Sequence, residues 1–378
     1  MLKYVAGIGA AALALWPSAA LAPPAWEQWQ PIAGVFDLGG PRSDGWLVVA
    51  GSGALYTMAP DGTLTPFAGA YHDDPGAEPY LTVSGGLAVG EAGCKFAKDD
   101  TFVLRLHAPI GVTRVDAAGS DVSSFANVSL PSLNGIAFDP VGTFANRLLV
   151  TGPRNGKTEV DAIDCTGHVQ VVTSTAPVVE GGIAVAPQEF GAFGGDLIAP
   201  DELSGLIWAI APNGSAVQVV NSGLPRGGDI GVESLAFVPA GFTSRGGFVY
   251  YSNRATPGNP HPGTDHVLRL SSADLAAAGI QDGDLLAATE GGASMIDVRC
   301  GATCQVTPVV PTPTTAHGEG HIVFTMAPLP SPSPALTVRA TAQPAGSGRS
   351  MPLVVGIAVL VAGAGATIAL VAWRRRRS

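Results

Sequence analysis

The sequence predicts an all-β protein, a six-bladed β-propeller, followed by one C-terminal transmembrane helix. One short apolar phrase recurs four times, with its aligned Leu or Ile spaced by 49, 47 and 52 residues, at 85–90, 134–140, 181–187 and 233–239. Each copy is followed by further short apolar runs that end at Gly, Pro or Asn, and helical periodicity is nearly absent from this region. A period of this length, with three or four strands per unit, is typical of propeller blades.

Six blades follow from extending the period in both directions. One unit is placed around Gly34–Phe67, another starts near Asp284, and Gly320–Thr325 returns to complete the first sheet and close the ring. Five or seven blades are alternatives. A pair of β-sandwiches is a further structural alternative, although sandwiches do not predict so regular a recurrence.

The recurrent phrase is predicted to be the innermost strand of each blade. Its Gly-[Ile/Leu]-Ala-[Val/Phe] pattern is apolar on both faces, which suits a strand that is crowded on both sides near the ring axis. The Pro that follows ends the strand, because Pro cannot donate to a strand ladder. After Leu235, the runs at 248–252 and 266–270 are predicted to be the next strands of the same unit.

Three local signals refine this prediction. The dipeptides Asp61-Gly62 and Asn213-Gly214 each lie between two apolar runs and predict tight hairpin turns. The segment Ser271–Ala278 is the one convincing helical turn, with Ser271 or Ser272 as its N-cap.

The first 22 residues are predicted to be a signal peptide. Lys3 gives a positive start, Val5–Trp16 is a short apolar core, and Ala20-Leu21-Ala22 is a small-x-small cleavage pattern. A membrane-spanning helix is the alternative, but the apolar core is short and no charged stop follows it.

The C-terminal end predicts a membrane anchor over 352–373. The stretch Leu353–Trp373 carries no charge, and at about 1.5 Å per residue it is long enough to span a hydrocarbon core of about 30 Å. The basic tail 374–378 is expected in the cytoplasm. A cleaved lipid-anchor signal is the alternative, which the basic tail disfavours.

The region between these ends is predicted to be exposed outside the cell. Residues 30–326 form the propeller ectodomain, and 327–351 form a Pro/Ser/Ala/Thr-rich stalk that cannot build a core. The chain is therefore expected at the cell surface, as a single-pass membrane protein with its N-terminal domain outside. Its expected partners are an extracellular ligand or protein and, through the C-terminal helix, the membrane.

The charge of the extracellular region excludes polyanionic partners. Residues 23–326 hold 30 acidic and 13 basic residues, a net charge of −17. Such a surface repels nucleic acid and anionic lipid, and it attracts cations or basic ligands.

The four cysteines predict two disulfides rather than a metal site. An even number of cysteines in an exported chain favours disulfides. Cys300 and Cys304 enclose three residues and can close a tight loop, which leaves Cys94 with Cys165. A four-cysteine zinc site would usually show two close pairs.

Two of the repeated units carry a resemblance to a known group. They read GGIAVAPQEFGAFGGDLIAP at 181–200 and ESLAFVPAGFTSRGGFVYYS at 233–252. This order of apolar strand, Pro, Phe, Gly and second strand resembles six-bladed propellers of the glucose/sorbosone quinoprotein dehydrogenase and gluconolactonase-like group. The resemblance implies the fold over about 30–326 and does not fix the reaction.

The same resemblance suggests where chemistry would be found. Quinoprotein members carry a catalytic histidine in a His-Asn-x-Gly-type motif, which is not found in this sequence. Lactonase-like members hold a divalent metal with Glu, Asn and Asp at the ends of inner strands. At the comparable places Asn134 and Glu233 match in type, whereas Gly85 and Gly181 do not.

The residues that enter the inner strands predict a cation site. In propellers these residues face the mouth of the central channel, so Asn134, Glu180 and Glu233 are expected to converge, with Asp229 on a neighbouring loop. Three carboxylates and an amide suit Ca²⁺, which takes six to eight oxygen ligands. Polar residues that bind exposed backbone groups or water are the alternative.

A second candidate is the His/Glu stretch at 317–321. In a regular strand His317, Glu319 and His321 would lie on one face and could hold a transition metal. A solvated entry to the last strand is the alternative. The metalloprotease motif is excluded, because a Glu should directly follow the first His.

Two functions follow from these patterns. The first is an extracellular ligand- or protein-binding domain, indicated by the anchor, the stalk and the lack of an intact catalytic motif, so no catalytic residue is assigned. The alternative is a metal-dependent lactonase or hydrolase, or a degenerate sugar-dehydrogenase-like enzyme, at the central channel.

Overall fold

A computed structural model describes residues 22–74 and 76–328. Residues 1–21 of the predicted signal peptide, nearly all of the stalk, the transmembrane segment 352–373 and the basic tail lie outside these residues. Across 22–74 and 76–328, no helix has both the length and the apolar character needed to cross a membrane.

Six four-stranded antiparallel sheets form the blades of a propeller, which confirms the predicted fold class and blade number. Three blades are each built from four consecutive strands, given from the axis outwards. Blade 1 contains Val35–Gly39, Leu47–Gly51, Ala54–Met58 and Leu64–Phe67. Blade 3 contains Gly135–Phe138, Leu148–Arg154, Lys157–Ile163 and Val169–Ala176. Blade 4 contains Ala184–Val185, Leu197–Asp201, Leu206–Ile210 and Ala216–Asn221.

Blade 2 corrects the placement of the first recurrent phrase. Its strands are Leu81–Val83, Thr101–Arg105, Gly111–Val115 and Val122–Asn127. The phrase at 85–90 is therefore not the inner strand. Gly86 has a left-handed backbone with φ of 83°, which turns the chain away from the sheet. Ala88–Val89 then pairs with Cys94–Lys95 in a small separate hairpin.

Blades 5 and 6 exchange strands relative to the sequence prediction. Blade 5 contains Val232–Phe237, Leu285–Thr289, Met295–Cys300 and Cys304–Val310. Blade 6 contains Gly318–Met326, Gly247–Asn253, His266–Ser271 and Glu27–Pro31. The runs near 248–252 and 266–270 therefore belong to blade 6, and the strands after Asp284 complete blade 5. Both assignments from sequence were wrong, because the prediction joined strands in chain order.

The ring closes in blade 6, where the N-terminal and C-terminal strands share one sheet. Gly318–Met326 is its innermost strand and Glu27–Pro31 its outermost strand. The predicted return of Gly320–Thr325 is correct, but it completes the sixth sheet rather than the first. The outermost strand is held by the Arg269 guanidinium, whose Nε lies 2.7 Å from Glu27 Oε2.

Six apolar clusters fill the spaces between neighbouring blades. Near the axis each blade contributes one buried aliphatic side chain, and these six residues are Leu38, Leu81, Ile136, Ile183, Leu235 and Ile322. The copies of the phrase at 134, 181 and 233 supply three of them, so its interpretation as an inner strand is confirmed for those blades. Burial of apolar area between blades is the main stabilising contribution to the ring.

The local signals are confirmed. Ser271 caps the helix Ser272–Ala277 by accepting a hydrogen bond from the Asp274 backbone N at 3.1 Å. The two predicted hairpin turns join adjacent strands of blades 1 and 4. Two further helical segments are Phe242–Arg245 and the short 3-10 turn Gly191–Phe193.

Both predicted disulfides form. Cys94–Cys165 ties the hairpin of blade 2 to the loop before the outer strand of blade 3. Cys300–Cys304 joins the two outer strands of blade 5.

Candidate functional site

Two cavities lie at opposite ends of the inner strands. The apolar cavity, about 380 Å³, is lined by the later residues of these strands, such as Phe138, Phe237 and Phe324. The acidic cavity, about 440 Å³, is lined by the residues that enter them. Its charged side chains are Glu78, Glu180, Glu202, Asp229, Glu233, Arg254, Glu290, His317 and Glu319. Asn134, Glu180 and Glu233, which precede or enter inner strands, line this acidic cavity, whereas Gly85 of blade 2 lines the apolar cavity at the opposite end.

All four residues predicted to bind calcium line the acidic cavity. Asn134, however, joins blades 3 and 4: its Nδ2 donates to the Val179 carbonyl at 3.1 Å, and its Oδ1 accepts from Thr151 Oγ1 at 3.1 Å. The contact with Thr151 uses one of the two lone pairs of the Asn134 amide oxygen.

The other three predicted residues lie at two depths. Glu233 is 4 % exposed and accepts a hydrogen bond from the Tyr80 hydroxyl. Burial raises its pKa well above the usual range, and the nearby carboxylates of Glu319 and Glu290 raise it further. Glu180 and Asp229 lie exposed at the rim. The four residues share a cavity, and their joint binding of Ca²⁺ stays a prediction.

A compact ligand group exists at a different place in the same cavity. Over 22–74 and 76–328, one group of three His, Cys, Asp or Glu residues has ligand atoms within 4.8 Å of one another: Glu290, His317 and Glu319. We call these three residues the ligand triad. His317 Nε2 lies 2.9 Å from Glu290 Oε1 and 3.3 Å from Glu319 Oε1. All three side chains are buried.

The backbone holds the ligand triad in place. Glu290 directly follows the second strand of blade 5, and His317 and Glu319 flank the first residue of the inner strand of blade 6. The Gly318 backbone N donates to the Glu290 carbonyl at 2.7 Å, which fixes these two segments against each other. The triad therefore lies on sheet termini rather than on long loops.

The protonation states of His317 and of the neighbouring Glu202 depend on the carboxylates beside them. Burial lowers the pKa of His317, but hydrogen bonds to Glu290 and Glu319 outweigh it and raise the pKa to about 9. His317 is therefore positively charged at neutral pH. Burial, followed by a hydrogen bond with Glu290 and its charge, raises the pKa of Glu202 to about 8, so Glu202 is mostly protonated at neutral pH.

Arg254 is the other basic side chain of the acidic cavity. It donates to Glu78, and its Nη1 lies 3.5 Å from Glu319 Oε1. Its guanidinium also lies over the Phe36 ring, 5.5 Å from the centroid. One Arg and one His thus face seven carboxyl groups, so the cavity attracts cations.

His321 does not join this site, which corrects the expectation of one shared face with His317 and Glu319. Gly320 has a left-handed φ of 71°, and the pairing of this strand with Gly247–Asn253 shifts register there. His321 instead lines the apolar cavity. Its Nδ1 lies 2.9 Å from Asp37 Oδ2 and its Nε2 lies 2.9 Å from the Ile136 carbonyl, so both ring nitrogens donate.

Sequence reasoning missed Glu202 and Glu290. Each directly follows the second strand of a blade, Leu197–Asp201 in blade 4 and Leu285–Thr289 in blade 5. This shared position is a signal that could have located them. The sequence did not reveal this shared position for Glu290, because the strand before Glu290 was predicted to lie in a different blade from Glu233.

Comparison with known proteins agrees with the fold. No protein-family model matches the chain, and no curated protein matches it. Among solved structures the chain is similar to virginiamycin B lyase from Staphylococcus aureus (12% identity, TM-score 0.42, covering 78% of this chain and 92% of that one). It is similar to a gluconolactonase-like protein (11%, 0.47, 81% and 90%) and to a streptogramin B lyase (11%, 0.43, 80% and 95%).

These similarities concern the fold alone. The six-bladed propeller fold that the predicted resemblance implies is confirmed by the six four-stranded sheets. A shared fold does not fix the reaction, which depends on the residues of the acidic cavity.

Proposed function

We propose that the chain is a metal-dependent hydrolase whose active site is the acidic cavity. The observation that carries this proposal is the ligand triad, with two carboxylates and one imidazole buried together at the channel mouth. The lactonase-type alternative inferred from the sequence is thus favoured over a binding domain without activity.

The triad fits a divalent first-row cation. Imidazole nitrogen with carboxylate oxygens is a donor set typical of Zn²⁺ and related ions, whereas Ca²⁺ prefers oxygen ligands alone. The donor atoms are 2.9 and 3.3 Å apart, close to the separation of neighbouring ligands around a small cation. A bound cation would polarise a carbonyl group and acidify a water molecule.

The chain's own residues supply the remaining parts of a hydrolytic site. Glu202 lies beside Glu290 at the edge of the triad, where it is positioned to take or give a proton. Arg254 holds the Glu319 side chain toward the triad, since its Nη1 lies 3.5 Å from that carboxylate.

We also propose that this enzyme is exported and displayed on the cell surface by its C-terminal segment. Residues 1–22 have the pattern of a signal peptide, and 353–377 that of an anchor with a basic stop. The two disulfides support the proposal, because such bonds persist in oxidising compartments. Protease treatment of intact cells should remove the propeller while the cells remain sealed.

The test of the enzymatic proposal is metal content together with hydrolysis. The full-length chain, purified in detergent, should hold about one divalent metal per chain by elemental analysis and should hydrolyse members of a lactone and ester panel. His317→Ala should lose both properties, because the triad loses its only nitrogen ligand.

The matched control is His168→Ala, which removes an exposed histidine from a turn of blade 3. This variant should keep the metal and the activity. Equal metal content in the two variants would contradict the assignment of the triad as the metal site.

A further inference from the structure

We propose that the apolar cavity is a second ligand site, which takes a compact, uncharged and mainly apolar molecule. The inference goes beyond the proposed hydrolase and does not depend on it, because this cavity lies at the opposite end of the inner strands from the acidic cavity. It follows from the walls of the cavity, from the pairing of its ionisable side chain and from the aromatic residues at its mouth.

Small side chains keep the apolar cavity open. In three blades the recurrent phrase places an Ala directly after the buried aliphatic residue near the axis, and these residues, Ala137, Ala184 and Ala236, all line the cavity. Protein interiors are normally close-packed, with few voids larger than a water molecule. The space of about 380 Å³ between aliphatic side chains of all six blades therefore follows from the recurrent pattern.

The apolar cavity offers no unpaired charge to a ligand. Among the described residues that line it, His321 is the one with an ionisable side chain. Both ring nitrogens of His321 are already bonded, one to the Asp37 carboxylate and the other to the Ile136 carbonyl. The Asp37 carboxylate also balances the positive charge of the ring. A charged ligand would lose its hydration here without gaining a partner of opposite charge, so the cavity selects an uncharged molecule.

Three aromatic rings at the mouth are held in fixed orientations. Phe138, Phe237 and Phe324 come from three different blades, and all of them line the cavity. Each ring packs edge-to-face against a second Phe ring, with centroids separated by 4.9, 4.8 and 5.0 Å respectively. Side chains that are already ordered lose little conformational freedom when a ligand binds, so these rings form a prepared apolar contact surface.

The cavity volume limits the size of the ligand. About 380 Å³ lies near the lower end of the range of small-molecule sites, which is roughly 300–1,000 Å³. A molecule with one aromatic ring is therefore of a suitable size, and such a ring can also contact the phenylalanines at the mouth.

Fluorine NMR of the full-length chain in detergent tests the inference with two probes of the same shape. The probes are para-fluorobenzyl alcohol, which is uncharged, and para-fluorobenzoate, which is an anion. The chain should broaden the resonance of the alcohol in a saturable manner and should leave that of the benzoate unchanged. Benzoate binding as tight as that of the alcohol would overturn the inference.

Variants that fill the cavity place the binding. Ala184→Phe and, separately, Ala236→Phe should each weaken binding of the alcohol at least about tenfold, because the new ring occupies the space of the ligand. Ala273→Phe is the matched control, since Ala273 is exposed on the helix Ser272–Ala277 and does not line the cavity. Detergent takes up the alcohol equally in all samples, so equal broadening by the original chain and both filled variants would overturn the inference. An equal loss in Ala273→Phe would do the same.

A measurement on the unaltered chain keeps the inference testable if the filled variants do not fold. Crystals of the full-length chain, soaked with para-bromobenzyl alcohol, should show an anomalous bromine peak between Phe138, Phe237 and Phe324. Bromine peaks at other places only, or no peak at all, would overturn the inference.

Discussion

Replacing Asp37 with Asn should strongly destabilise the ring. The Asp37 carboxylate is fully buried and joins three blades. It accepts from the backbone N of Leu38 at 2.7 Å, from that of Leu81 at 2.6 Å and from that of His321 at 2.6 Å. His321 Nδ1 also donates to it at 2.9 Å.

The magnitude follows from these contacts. An Asn side chain has one acceptor oxygen, so at least one of its NH₂ hydrogens would face a donor, and the charge opposite the His321 ring is lost. Hydrogen bonds to charged groups each contribute about 1.5–3 kcal/mol, and breaking a buried ion pair costs about 3–5 kcal/mol. The expected loss in the free energy of unfolding is therefore about 3–5 kcal/mol.

Urea unfolding of the full-length chain, followed by tryptophan fluorescence, measures this loss. Asp74→Asn, in an exposed loop, is the control and should change the free energy of unfolding by less than about 0.5 kcal/mol. A loss below about 1 kcal/mol for Asp37→Asn would refute the interpretation of Asp37 as the residue that ties blades 1, 2 and 6 together.

Two further substitutions test the packing and electrostatics of the blades. Burial, with the neighbouring Asp284, raises the pKa of Asp297 to about 7, so folding favours its protonated form and stability falls as pH rises from about 4 to 7. Asp297→Asn should therefore raise the free energy of unfolding at pH 8 by up to about 4 kcal/mol, and by much less at pH 5. Urea unfolding at the two pH values measures this difference, and an equal effect at both would contradict the reasoning. Gly181→Ala should displace Glu233 and lower the free energy of unfolding by several kcal/mol, because a Cβ at this position would lie 1.8 Å from the Glu233 carbonyl oxygen and the φ angle of Gly181 is 85°. An unchanged melting temperature of this variant would contradict that expectation.

Local patterns made most of the fold predictable. Turn dipeptides, the Ser271 cap and the recurrent apolar phrase depend on neighbouring residues, and their structures agree with the sequence. The strand exchange between blades 5 and 6 was not predictable in this way. It depends on pairing between segments far apart in the chain, such as Tyr250 with Val323, which no local pattern encodes.

The location of the candidate site could be predicted from the sequence, whereas the contacts within it could not. Asn134, Glu180 and Glu233 at strand entries, with Asp229 on a neighbouring loop, were expected at the channel mouth, and all four line the acidic cavity. The side-chain partners of these residues could not be read from sequence, and neither could the left-handed Gly320, which separates His321 from the cavity. The binding of an extracellular ligand or protein stays a prediction.

The most direct test of the central claim is the location of a bound cation. Crystals of the chain grown with Zn²⁺ should give one strong anomalous peak in the acidic cavity, about 2.0–2.2 Å from His317 Nε2 and from carboxylate oxygens of Glu290 and Glu319. A cavity without a peak, or a peak at the rim with the triad still joined by its own hydrogen bonds, would contradict the account.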